Sequence, residues 1–133
     1  MNRILVSKLN TKKMFAIDSV GALASSFMLG AILPRFQPLI GMPTFVLWML
    51  AAIALCFCAY SFWCYNWASL SDPKWLRGII RGNSTYCLLT AVLLVVYWDQ
   101  VTMLGRTYFI SETLIIVGIV LTERRVFQKT YPV

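Results

Sequence analysis

MLGRTYFISETLIIVGIVLT, residues 103–122, reads as a membrane-crossing helix with a carboxylate, Glu112, at its tenth position. An ionised acid at mid-bilayer costs from about 2.5 kcal/mol upward unless it is neutralised, hydrated or paired. Glu112 is therefore expected to face protein or a cavity, sheltered from lipid by other helices. Three further apolar runs, 14–33, 44–67 and 79–98, have the length of about 17 to 25 residues that crosses roughly 30 Å of hydrocarbon at about 1.5 Å per residue. The third is the weakest, because Arg81 and Asn83 interrupt its first turns.

The composition agrees with this reading. Of 133 residues, 59 % are hydrophobic and only 13 % are charged, so the chain cannot supply the polar exterior of a water-soluble domain. The expectation is one all-α domain over 1–133, a four-transmembrane-helix bundle with a basic leader at 1–12 and a basic tail at 123–133. Four spans leave no room for a separate soluble catalytic domain, so any chemistry lies within the bundle or on its rims. The lipid bilayer is the first partner. A formal charge of +7 would suggest nucleic acid in a soluble protein, but here the basic residues flank the spans, and no nucleic-acid partner is expected. Arg3, Lys8, Lys12 and Lys13 precede the first span, Lys74, Arg77 and Arg81 lie between the second and third, and Arg124, Arg125 and Lys129 follow the fourth; the two opposite connections carry only Arg35 and Arg106. Ten against two places both termini and the middle loop on the cytoplasmic side.

Two absences narrow the chemistry. The chain has no histidine, which removes the commonest metal ligand, and its cysteines, Cys56, Cys58, Cys64 and Cys87, all fall within spans, so no framework of structural disulfides is indicated. No phosphate-binding glycine loop, zinc cluster or nucleophile elbow is present. A protein without enzymatic activity, metal or cofactor is the expectation.

The first span begins after basic residues, as a signal peptide does, but Asp18 interrupts its apolar run and the run continues to Leu33; it is read as an uncleaved helix. Gly21/Ser25, Ala22/Ser26 and Ser26/Gly30 are small pairs four apart that let another helix approach closely, and Asp18, Ala22 and Ser25 share one face. Pro34, Pro38, Gly41 and Pro43 are expected to end the helix and shape the loop. In the second span Cys56, Tyr60, Cys64 and Trp67 form a stripe, among aromatic residues that suit a membrane interface. Asp72–Pro73 starts a turn. In the third span Asn83, Cys87 and Thr90 fall on one face with Tyr86 beside them. Asp99 and Gln100 make a short turn into the fourth span, where Gly105, Tyr108 and Glu112 align.

Counting about 1.5 Å per residue from the cytoplasmic end puts Asp18 and Asn83 about 5 to 6 Å deep, Tyr60 and Cys87 about 9 to 10 Å, and Glu112 about 15 Å. Polar groups in hydrocarbon seek internal partners, so the four stripes are expected to turn inward around one polar pocket built from Asp18, Tyr60, Asn83, Tyr86 and Glu112. Ser25, Cys64, Cys87, Thr90 and Tyr108 are its secondary members. Such a pocket suits the binding or transport of a small cationic or proton-coupled ligand. The alternative is a structural or accessory subunit whose buried polar groups hold helices, a second copy or a membrane partner together. A thiol oxidoreductase is disfavoured, because Cys56 and Cys58 point about 200° apart on a helix and cannot bridge.

The layout, with four spans and an acid in the first, is similar to that of small multidrug-resistance transporters, but their motif is not present around Asp18 and no residue role carries over. DSVGALASSFMLG at 18–30, GMP at 41–43, YSFWCY at 60–65, NSTYC at 83–87 and LGRTYFISE at 104–112 resemble stretches of an uncharacterised family of small bacterial four-helix integral membrane proteins. That resemblance implies a four-helix topology and a bacterial inner-membrane location, and no activity.

Overall fold

The computed structural model describes residues 2–68 and 73–131, with side chains from residue 9 onward. Asp72 of the expected turn, and the side chains of Arg3 and Lys8, lie outside the described residues. Among those described there is no strand. The chain forms α1 (Asn2–Phe27), a π-helical turn (Met28–Ile32), α2 (Leu33–Arg35), α3 (Gln37–Ile40), α4 (Thr44–Trp67), α5 (Lys74–Val96) and α6 (Met103–Thr130). Four helical stretches, Leu9–Arg35, Thr44–Trp67, Lys74–Val96 and Met103–Thr130, are long and apolar enough to cross a membrane. Their outward faces carry Val20, Leu23, Phe45, Leu55, Leu88, Val92, Leu114 and Ile115, all exposed. In water such a surface would be an aggregation patch; against acyl chains it is the expected coat.

Three helices depart from the expected bounds. The first begins at Asn2 rather than residue 14, since residues 2–13 contain neither glycine nor proline to break it. The third starts at Lys74, just after Pro73, whose fixed φ suits a helix start. The last runs to Thr130, so ERRVFQK, read as tail, continues α6. Pro34 also does not end the first helix outright. Lacking an N–H, it cannot bond the carbonyl four residues back, and the chain answers with a wider turn in which Leu33 N–H donates to the Met28 carbonyl, five residues away.

The spans are arranged so that α1 packs on α4 and α6, while α5 packs on α6 and α4. The α1–α4 seam uses small residues. Ser26 Oγ donates to the Ala51 carbonyl at 3.0 Å, and a Cβ placed on Gly30 would lie 3.3 Å from Ala51 Cβ. Between α4 and α5 aromatic rings act as spacers, with Tyr60 lying on Gly78 and Phe57 on Gly82.

At the end opposite the basic collar, α3 is tied to the turn before α6. Thr102 N–H donates to the Ile40 carbonyl at 2.9 Å, and its hydroxyl donates to the carbonyl of Leu39. Gly41 closes α3 with φ +87°, and a Cβ there would run into the backbone of Gln100. Gly41→Ala is therefore expected to lower stability by about 1–2 kcal/mol from backbone strain alone, with the clash added. Gly118, in mid-helix with open space around it, is the control: Gly118→Ala should raise stability by up to about 1 kcal/mol. Unfolding by denaturing detergent in mixed micelles reads both, and a Gly41→Ala protein as stable as the parent would refute this account of the loop.

Candidate functional site: buried carboxyls and an intramembrane cavity

Five acidic residues occur in the chain, and three of them, Asp18, Glu112 and Glu123, are buried within the bundle. Among the described residues none of the three is paired with a lysine or arginine. Some of the basic side chains lie on aromatic rings instead: Lys12 lies over Tyr65 at 4.9 Å, Lys74 over Trp75 at 4.8 Å, and Arg77 over Phe127 at 5.5 Å. Such contacts suit a cation held at a membrane interface.

The carboxyls form two groups. The first takes one residue from every span: Asp18 of α1, Ser61 of α4, Asn83 of α5 and Glu123 of α6. Ser61 donates to Asp18 Oδ2 at 2.5 Å, while the Asn83 amide donates to Asp18 Oδ1 at 2.5 Å and to Glu123 Oε1 at 3.4 Å. Ser61 and Glu123 are 0 % exposed, and Glu123 Oε2 has no hydrogen-bond partner. The second group sits deeper along α6. Tyr86 donates to Glu112 Oε1 at 3.2 Å, and Glu112 Oε2 is buried without a partner. An unsatisfied buried oxygen of this kind costs about 1–3 kcal/mol, more when charged.

Two cavities adjoin these groups. The larger, about 450 Å³, lies against Glu112, Asp18 and Asn83 and is walled by Tyr86, Tyr108, Phe57 and Met28. Its α1 wall is Gly21, Ala22 and Ser25, and no heavy atom outside the helix lies within 4 Å of a Cβ placed on Gly21. These small residues leave a space; it is Ser26 and Gly30 that form the close helix contact. The rim includes Ala24 of α1 and Ser111 and Ile115 of α6, all exposed, so the cavity opens sideways between those helices. A second cavity, about 320 Å³, lies between α4 and α5 and is lined by Tyr60, Ser61, Gly78 and Cys56; Asp18 and Asn83 border both.

Of the residues expected to share one pocket, Asp18, Ser25, Asn83, Tyr86, Tyr108 and Glu112 do line the larger cavity. Tyr60 lies apart, donating to the Trp75 carbonyl at 3.0 Å on the far side of the Asp18–Asn83 contact. Cys64 is fully enclosed in a separate apolar cluster with Phe15 and Leu76. Its stripe does not turn inward as a whole, since Cys56 and Trp67 are exposed; the buried face of α4 runs through Leu47, Leu50, Ala54, Ser61 and Cys64. Cys87 is half-buried beside Tyr86, and Thr90 is buried with its hydroxyl unpartnered. All four cysteines are free thiols.

Ser61 and Glu123 were not among the expected site residues. Glu123 stands eleven residues beyond Glu112, about three turns on the same helix face. Ser61 occupies the same face as Ala54 and Cys64, seven before and three after. The spacing was readable in both cases; the assignment of 123–133 to a tail concealed the first, and the prominence of Tyr60 the second.

Fold and site together describe an all-helical chain, with four helices long and apolar enough to cross a membrane, in which carboxyls without a basic partner surround a cavity between the helices. No protein-family model matches the chain, nor does any curated protein or solved structure.

Proposed function

We propose that the chain is a bacterial inner-membrane protein, both termini cytoplasmic, that binds a small lipophilic cation in the larger cavity and can serve its transport. The observation that carries this reading is Glu112, a buried carboxyl that no lysine or arginine pairs, on the wall of an otherwise largely apolar space. A volume of about 450 Å³ lies in the range of about 300–1,000 Å³ typical of small-molecule sites. The faces of Tyr86, Tyr108 and Phe57 suit a cation as well as an apolar body. A sideways mouth suits a ligand that dissolves in lipid first.

Tetraphenylphosphonium is a suitable probe: it should bind the detergent-purified protein with about one equivalent per cavity by calorimetry, and absence of saturable heat would remove the reading. For orientation, the placement of Lys12, Lys13, Lys74, Arg77, Arg124 and Arg125 at one end supports cytoplasmic termini. Fluorescent-protein fusions at either terminus should fluoresce, and periplasmic phosphatase fusions there should stay inactive; the opposite pattern would invert the topology.

A second reading has its own observation. The bonds among Asp18, Ser61, Asn83 and Glu123 tie four spans at one level, which suits an accessory subunit whose polar groups hold helices together. It predicts loss of stability on mutation and no ligand.

A further inference from the structure

We propose that Asp18 and Glu123 share one proton beside the Asn83 amide, and that this proton is released when a cation occupies the cavity of Glu112. The inference rests on the cation-binding reading above.

Asp18 accepts hydrogen bonds at both oxygens, from Ser61 and Asn83, which is the pattern of an ionised carboxylate. Glu123 accepts from Asn83 at Oε1 and its carboxyl stands within hydrogen-bonding reach of Asp18, while Oε2 is enclosed with no donor. Two carboxylates on one amide, Glu123 fully enclosed and Asp18 open only at the cavity walls, repel strongly, and one proton on Glu123 relieves the repulsion. No countercharge does this instead. The charged and titratable groups close to the pair and its donors along each helix are Lys12 and Lys13 on α1, Tyr60 and Cys64 on α4, Arg77 and Arg81 on α5, and Arg124 and Arg125 on α6. The basic ones are exposed, and among the described residues none forms an ion pair with either carboxyl.

Geometry supplies the coupling. Asp18 borders the same cavity as Glu112, so a cation there brings positive charge to the pair and favours its fully ionised form. The O–H bond of Glu123 breaks, its electron pair stays on the carboxylate, and the proton leaves past Asp18 and Asn83 into the second cavity. That cavity reaches exposed Cys56 and Gly78, and about 320 Å³ is roomy enough to hydrate a proton's exit. One positive charge enters as one leaves, and the interior keeps its net charge.

The test measures proton release with a pH-sensitive dye while tetraphenylphosphonium is titrated into the full-length protein in weakly buffered detergent. The parent should release about one proton per cation bound. Glu123→Gln, which keeps the shape and hydrogen bonds of the neutral acid and does not line the cavity, should bind the cation and release none. If that variant does not fold, Glu123→Leu serves in its place. Binding without release in the parent overturns the coupling alone, and equal release from the Glu123 variant overturns it too by placing the proton on Glu112. No binding by the parent removes the cation-binding reading together with this one.

Discussion

Glu112→Gln is expected to weaken tetraphenylphosphonium binding about 10- to 100-fold while leaving the unfolding midpoint of the bundle nearly unchanged. The side-chain carbonyl of glutamine can still accept the Tyr86 hydrogen bond that Glu112 Oε1 accepts at 3.2 Å, so the helix contact survives. What disappears is the charge at Oε2, the oxygen without a partner. Interactions with a charged group contribute about 1.5–3 kcal/mol, and each 1.4 kcal/mol is a factor of about ten in affinity. Tyr86→Phe should have a smaller effect, a few-fold, because the acid remains. Calorimetry in detergent, with a thermal melt of the same preparation, separates the two readings of the site. Loss of affinity at constant stability supports ligand capture; loss of stability with affinity untouched supports a purely structural acid.

For stability the largest single effect should come from Asn83→Ala, a loss of about 2–4 kcal/mol against unfolding by denaturing detergent. The Asn83 amide is the donor common to Asp18 and Glu123. Its removal leaves two enclosed carboxyl oxygens without a donor, at about 1–3 kcal/mol each. The lower half of that range is the better guide, since interhelical hydrogen bonds in bilayers average about 0.6 kcal/mol. Ser61→Ala removes a single bond and should cost about 1 kcal/mol. Ser84 is the control, one residue along the same helix, exposed and bonded only to its own helix at the Ile80 carbonyl. If Asn83→Ala unfolds no earlier than Ser84→Ala, the four-helix contact holds nothing together.

Much of this architecture follows from apolar run length, because hydrocarbon thickness and the rise of the helix leave few solutions. The second span, 44–67, coincides with α4 for that reason. Helix ends were less legible. Run length measures what lipid accepts, whereas a helix stops where its backbone must, so Asn2 and Thr130 lie beyond the apolar limits. Within the site, Asp18 with Asn83 could be anticipated, since both are polar residues on spans at matching depth; Tyr86 with Glu112 follows less directly, since Tyr86 lies about a turn shallower and reaches the acid through its long side chain. Glu123 is legible only through its helix phase: a charged residue beside Arg124 and Arg125 otherwise looks like interface. Nor does periodicity tell a small residue that admits a helix from one that leaves a hole. Gly30 does the first and Gly21 the second, and the difference lies in the neighbours.

The wide turn at Met28–Ile32 holds one residue more than an ordinary helical turn, and so works as slack in the first span. A chain one residue shorter within that turn would tighten to regular helix and keep both Asp18 and the Gly41 loop in register. The same loss anywhere from Ser19 to Phe27 would swing Asp18 by about 100° relative to the loop, away from Ser61 and Asn83. Length is therefore negotiable within the wide turn and fixed between it and Asp18.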